Sequence, residues 1–209
     1  QSQPVELIAI VFANDDPKLR EALALSVDRA AIFNVLLGRQ GEPTAALLPN
    51  WMTGYGFVFD AGQDIQRARQ LRAESRRTQP LTLTYDPQDA LARAIAERVA
   101  LDARGAGLAI TPTTSIASPD ARLVRVLLPT HDPQAALAAV AAALGASAPK
   151  NDDVPEEWYA AERRLRDDLH VVPILHVPVA YGLGARVKGW AASKSGAWAL
   201  DDVWLEQRP

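Results

Sequence analysis

Three Asp-Pro pairs, Asp16-Pro17, Asp86-Pro87 and Asp132-Pro133, each stand between a short apolar run and a longer stretch of helical periodicity. An aspartate that can cap, followed by a proline whose missing N–H costs nothing in a first turn, is a strong start signal for a helix. Leu19, Leu23 and Val27 stripe the first helix, Leu91, Ile95 and Val99 the second, and Leu137, Val140, Ala141 and Leu144 the third. The second is expected to run from Pro87 to Arg104 and stop at Gly105, and the third to stop at Gly145, natural left-handed C-caps. Between and around them, strands are expected at 5–13, 81–85, 107–112, 122–128, 171–177 and 179–183. Strands alternating with helices predict an open, mixed α/β layer. The run Leu123-Val-Arg-Val-Leu-Leu128 is nearly continuous in apolar character, which suits a strand buried on both faces.

Asp28 is expected to cap a further helix, bearing Ile32, Phe33 and Leu36 and ending at Gly38. A last helix from Pro155 to Leu169 turns Trp158, Ala161, Leu165 and Leu169 inward, with Glu156 and Glu157 early and Arg163, Arg164 and Arg166 late to complement its dipole. The stretch 145–154 is the best candidate for a mobile loop.

At 209 residues with 48% hydrophobic and 22% charged residues, the chain is long enough for a substantial core. A net charge of −3 argues against a nucleic-acid partner. Arg67, Arg69, Arg72, Arg76 and Arg77 cluster, but they spread around several helix faces and read as solvated surface. With no cysteine there is no disulfide and no thiolate metal site or nucleophile. No 18-residue apolar run is present.

Catalytic signatures are sparse. The chain has no Gly-x-Ser-x-Gly, no His-Glu-x-x-His and no Gly-Lys-Ser/Thr phosphate loop, so no enzyme activity and no cofactor is expected. His170 and His176, on one strand, would lie roughly 20 Å apart, too far for one metal. His131 and Asp132 fall where a strand ends and a helix begins, a frequent ligand position in α/β folds, although Asp132 is also a plain cap. The stretch 41–62 is long and aromatic, with Trp51, Tyr55, Phe57 and Phe59 among prolines and glycines. A loop of that length is commonly functional, and Trp51 and Tyr55 are candidates to stack on a ligand. The alternative is that the loop buries these rings on its own lobe.

Arg20-x-Ala22-Leu23-x-Leu25-x-x-Asp28-Arg29, a short helix and Gly38 resemble the signature block of the extracellular solute-binding proteins of family 5, the peptide-, nickel- and sugar-binding receptors of ABC importers. The preceding strand ending in Asn14, the segment Asp64-x-x-x-Ala68-x-x-Leu71, and Leu81 to Tyr85 with the helix and strand that follow are similar to the family in the same order. So are Val172-Pro-Ile-Leu175, Val187-Lys-Gly-Trp190 and Asp201-Asp-Val-Trp-Leu205. The resemblance implies a periplasmic-binding-protein-like (type II) lobe, with a mixed sheet flanked by helices. It further implies that residues 1–209 are the C-terminal half of a two-lobed receptor, with 171–209 as a tail returning to a missing N-terminal lobe. Such a receptor is periplasmic or extracellular, free or membrane-anchored. It works as a monomer with ABC permease subunits, and takes a small-molecule solute (oligopeptide, sugar or metal chelate) without catalysis. A ligand-sensing domain of a cytoplasmic transcription regulator is the alternative. Within the resemblance, Arg20, Asp28 and Arg29 hold helix ends by ion pairs and caps, and Trp190, Trp198 and Trp204 pack in the core or between lobes. Peptide-binding members carry an acid that meets the peptide α-amine; here it falls on Pro129 of Pro129-Thr-His-Asp-Pro133, so that salt bridge is not carried over.

Overall fold

The computed structural model describes residues 4–13, 16–129, 131–147, 154–191 and 200–206. In chain order the elements are β1 (Val5–Phe12), α1 (Pro17–Ser26), α2 (Arg29–Ala31), β2 (Glu42–Pro43), α3 (Asn50–Thr53) and α4 (Ile65–Glu74). There follow β3 (Leu81–Thr84), α5 (Ala90–Gly105), β4 (Ile110–Thr113), β5 (Ala121–Leu128), α6 (Pro133–Ala143) and α7 (Pro155–Asp168). β6 (Val171–Pro178), β7 (Val187–Lys188) and β8 (Trp204–Leu205) complete the set.

Six strands form one mixed sheet in the order β2-β6-β1-β5-β3-β4. β1 runs antiparallel to both β5 and β6, while β3 is parallel to β4 and β5. Ile8, Ile10 and Phe12 point to one face, where α1, α4 and α5 supply Leu23, Leu71, Ile95 and Val99. Leu7 and Ala9 point to the other, against Leu137 and Val140 of α6, Leu165 of α7, and Leu47 and Leu48. Period-2 alternation along β1 thus feeds two cores.

Asp16 and Asp132 cap as expected, through Leu19 N–H at 3.0 Å and Ala135 N–H at 2.8 Å. The middle Asp-Pro does not start its helix. Asp86 closes a turn on Gln88 N–H, and Asp89, three residues on, caps α5 through Leu91 and Ala92. The helix expected to end at Gly38 is α-helical only over α2. It widens to a π-turn over Ile32–Leu36, with Leu37 N–H reaching back to Ile32 at 3.2 Å. β5 is not buried on both faces: Arg125 and Leu127 emerge where the helical cover stops, and Arg125 pairs with Glu6 and with Asp89 at the start of α5. β6 is the strand buried almost throughout, because β1 and β2 flank it and both helical layers cover it.

The stretch from 171 divides. Val171–Pro178 is an inner strand of the sheet, and beyond it the chain leaves. The strand expected at 179–183 is not formed; a two-stranded ribbon of β7 with β8 follows instead. Trp204 lies exposed on that ribbon and Trp190 rests on Tyr181 with ring centroids 4.8 Å apart. Asn14, Trp198 and residues 148–153 of the expected mobile loop lie outside the described residues.

Candidate functional site

The segment 41–62 is not structureless. It opens at Gly41, whose φ of +106° brings the backbone so close to β6 that a Cβ would run into the carbonyl oxygen of His176. β2 then pairs with the edge of β6, and Thr44 N–H donates to Ile174 O at 3.1 Å. One turn of helix, α3, is closed by Gly54 in the left-handed conformation, and a 3-10 turn at Gly56–Val58 follows.

This path separates the four candidate residues. α3 lifts Trp51 to the surface, 51% exposed, where its ring meets exposed His131 edge to face with centroids 5.2 Å apart. That is a favourable aromatic geometry. His131 stands just past the end of β5, and Asp132, next in the chain, spends one carboxylate oxygen capping α6. Trp51 and His131 are therefore brought together, with Asp132 beside His131 in the chain. Tyr55 is not with them: its hydroxyl turns inward to donate to Glu162 at 2.9 Å, and its ring packs against Phe59 and Tyr159. Phe59 is buried and Tyr55 half-buried, whereas Phe57 is exposed.

Val5 is paired with Leu128 on one side and Pro178 on the other, so Pro4, Pro129 and Val179 gather at a single end of the sheet. That end carries the Trp51–His131 pair. Two hollows lie elsewhere on the lobe. One, of about 620 Å³, is lined by Thr84, Tyr85, Thr114 and Arg122. Another, of about 390 Å³, is lined by Arg20, Arg29, Asp60, Tyr159 and Arg166.

Two buried polar groups hold this architecture. Arg29 donates from Nε and Nη2 to Pro173 O (3.2 and 2.9 Å) and from Nη1 to Ala24 O (2.8 Å) and Ala61 O (3.4 Å). It thus ties β6 to α1 and to the aromatic segment through backbone carbonyls rather than through the expected ion pair. Burial lowers its pKa to about 10, with nearby Asp60 opposing. Asp28 behaves as expected, capping Ala31 N–H at 2.8 Å and facing Arg98 at 3.6 Å.

The second group, Glu162, was not singled out from sequence. It lies on the inward stripe of α7 between Ala161 and Leu165, fully buried, and an acid inside an apolar stripe is the signal that marks it. It accepts from the N–H groups of Leu47 and Leu48 and from the Tyr55 hydroxyl. Burial raises it to about 7 against the opposing pull of these donors and of Arg166. His176 on β6 fixes the other side of the same peptide, its Nε2 lying 2.9 Å from Leu47 O, and burial lowers its pKa to about 4. His170 is not on that strand; it occupies the preceding turn at φ +53°. Among the described residues no group of three or more His, Asp or Glu is arranged to hold a metal ion.

A mixed sheet with helices on both faces is the architecture of one lobe of a type II periplasmic-binding-protein-like fold. It superposes on the dipeptide binding protein from Pseudoalteromonas sp. SM9913 in complex with Met-Leu (TM-score 0.73, 17% identity, 98% of this chain and 49% of that one). It is similarly close to a periplasmic oligopeptide-binding protein from Borrelia burgdorferi (TM-score 0.71, 15% identity, 98% and 49%). A third similar structure is AgaA in complex with agropinic acid from A. tumefacien R10 (TM-score 0.68, 14% identity, 100% and 53%). The chain spans about half the length of these proteins. No curated protein matches it by sequence. The family described as bacterial extracellular solute-binding proteins, family 5, middle, matches residues 7–162, and the chain belongs to that family.

Proposed function

We propose that this chain is one lobe of an exported two-lobed solute receptor of an ABC importer, and that Trp51, His131 and Asp132 line its half of the solute cleft. The observation that carries the reading is the exposed Trp51–His131 pair standing at the end of the sheet where Pro4 and Val179 mark the two chain connections. Two lobes joined there close on a solute by hinge motion, and the closed form is what a permease docks. No chemistry is performed on the solute. Trp51 offers a ring for an apolar or planar group, and His131 offers a ring nitrogen for a hydrogen bond.

Similar structures hold Met-Leu in one case and agropinic acid in another, so ligand chemistry varies on this fold. Proline at 129 leaves no acid there for a peptide α-amine. We therefore favour a solute that is not anchored by an α-ammonium group at this position. Calorimetric titration of the two-lobed receptor with Met-Leu, N-acetylated Met-Leu and agropinic acid tests this. Acetylation is expected to leave any peptide affinity unchanged, and a strong preference for the free amine would contradict the reading.

A further inference from the structure

All three donors to Glu162 belong to the short segment that carries Trp51: Leu47 N–H, Leu48 N–H (3.1 Å) and Tyr55 O–H (2.9 Å). The first two converge on Oε1 and the third on Oε2. The acid thus brackets Trp51 from both sides in sequence. A buried carboxylate ordinarily pairs with a cation. Here the neighbouring cation, Arg166 on the same helix, lies over the Phe59 ring at 4.8 Å and donates to Ala45 O at 3.3 Å. Glu162 is left to serve the loop.

We propose that Glu162 is a proton-dependent positioning residue, a latch on α7 that sets the Trp51 segment and grips it most tightly when it carries a proton. With Oε1 already receiving two N–H groups, the proton sits on Oε2. The Tyr55 hydroxyl then reverses from donor to acceptor, and all three contacts survive without a buried charge. Ionised, the same carboxylate keeps its contacts but bears a desolvation cost that they do not fully return, which is why its pKa rises to about 7. Opening the segment returns the acid to water, where it ionises readily, so opening becomes easier as pH rises. The groups facing it are Arg166 from α7, Tyr55 from the loop and His176 from β6, through Leu47. Burial holds Tyr55 neutral well above its ordinary range, and His176 stays neutral above about 4. His176 opposes the trend only in acid, where an opened loop lets it protonate. The functional half of this inference rests on Trp51 lining the solute surface; the positional half does not.

Hydrogen exchange of the Leu47 and Leu48 amides in the full chain, corrected for intrinsic rates, tests the latch without any solute. Between pH 6.5 and 8.5 protection is expected to fall roughly 3- to 5-fold, starting from a level below that of the β1 amides, which open only with the whole sheet. Glu162→Gln is expected to abolish that step. Tyr55→Phe keeps the acid but removes a donor to its charged form, so the step moves to higher pH; this variant decides the matter if Glu162→Gln does not fold. Protection that is flat with pH in the parent chain, or a step unmoved by Tyr55→Phe, overturns the proposal. If the step is present but Met-Leu or agropinic acid binding to the two-lobed receptor ignores it, the latch stands and Trp51 is not part of the solute surface.

Discussion

The backbone N–H of Val179 donates to the carbonyl oxygen of Pro4 at 2.9 Å, so the chain comes into the sheet and leaves it side by side. Val5 and Pro178, the adjacent residues, are register partners in the β1–β6 ladder. In the two-lobed receptor proposed above, such a pair of adjacent crossings would form a narrow hinge, because rotation about it disturbs few other contacts. The Trp51–His131 contact lies at that same end of the sheet.

Trp51→Ala in the two-lobed receptor is expected to weaken solute binding about 10- to 100-fold, as for a central aromatic anchor. Its side chain is half exposed, so the stability of the lobe should change by no more than about 0.5 kcal/mol. Calorimetry and thermal unfolding of the same variant check both.

Asp132 separates capping from ligand contact. Asp132→Ala is expected to cost about 1 kcal/mol through the lost cap on Ala135, and Asp132→Ser to restore it. If the carboxylate also meets solute, Asp132→Ser recovers stability in urea unfolding but not affinity.

Arg29→Ala should cost on the order of 3–5 kcal/mol, since it strands the carbonyls of Pro173, Ala24 and Ala61 in the interior. Arg29→Lys should recover little, because a single ammonium does not span the fork. Urea denaturation midpoints distinguish the two.

The pH profile of stability carries two opposed slopes. His176, lowered to about 4 by burial, is destabilising as pH falls from its ordinary 6.5 through that value, because the unfolded chain binds the proton first. Glu162, raised to about 7, acts the other way: its contribution is full below 4.5 and lost as pH rises through 7. Each effect is bounded at about 3 kcal/mol. The two windows overlap between 4.5 and 6.5, where the slopes largely cancel, so in unfolding free energies measured from pH 4 to 8 His176→Gln should expose the fall due to Glu162, and Glu162→Gln the rise due to His176.

Much of this was legible from local sequence. Asp16 and Asp132 announced their helices because a cap is satisfied within three residues. Asp86 misled for the same reason: an equally local turn competed for its carboxylate and left the cap to Asp89. The aromatic segment was marked by composition, but which rings face out was not. That is decided by Glu162, whose partners Leu47 and Tyr55 lie 115 and 107 residues earlier. The Trp51–His131 contact is likewise a product of topology, since it needs β5 to end beside the segment leaving β2. Arg29 was read as an ion-pairing residue because carbonyl partners leave no trace in side-chain identity.

The central claim is that this chain holds one half of a solute cleft. Its most direct test is calorimetric titration of one solute, Met-Leu or agropinic acid, into the two-lobed receptor and into this chain alone. Binding by the two-lobed receptor that Trp51→Ala weakens, with no measurable heat from the chain alone, is the predicted result. Equal affinity for the chain alone, or binding by the receptor that Trp51→Ala leaves untouched, would contradict it.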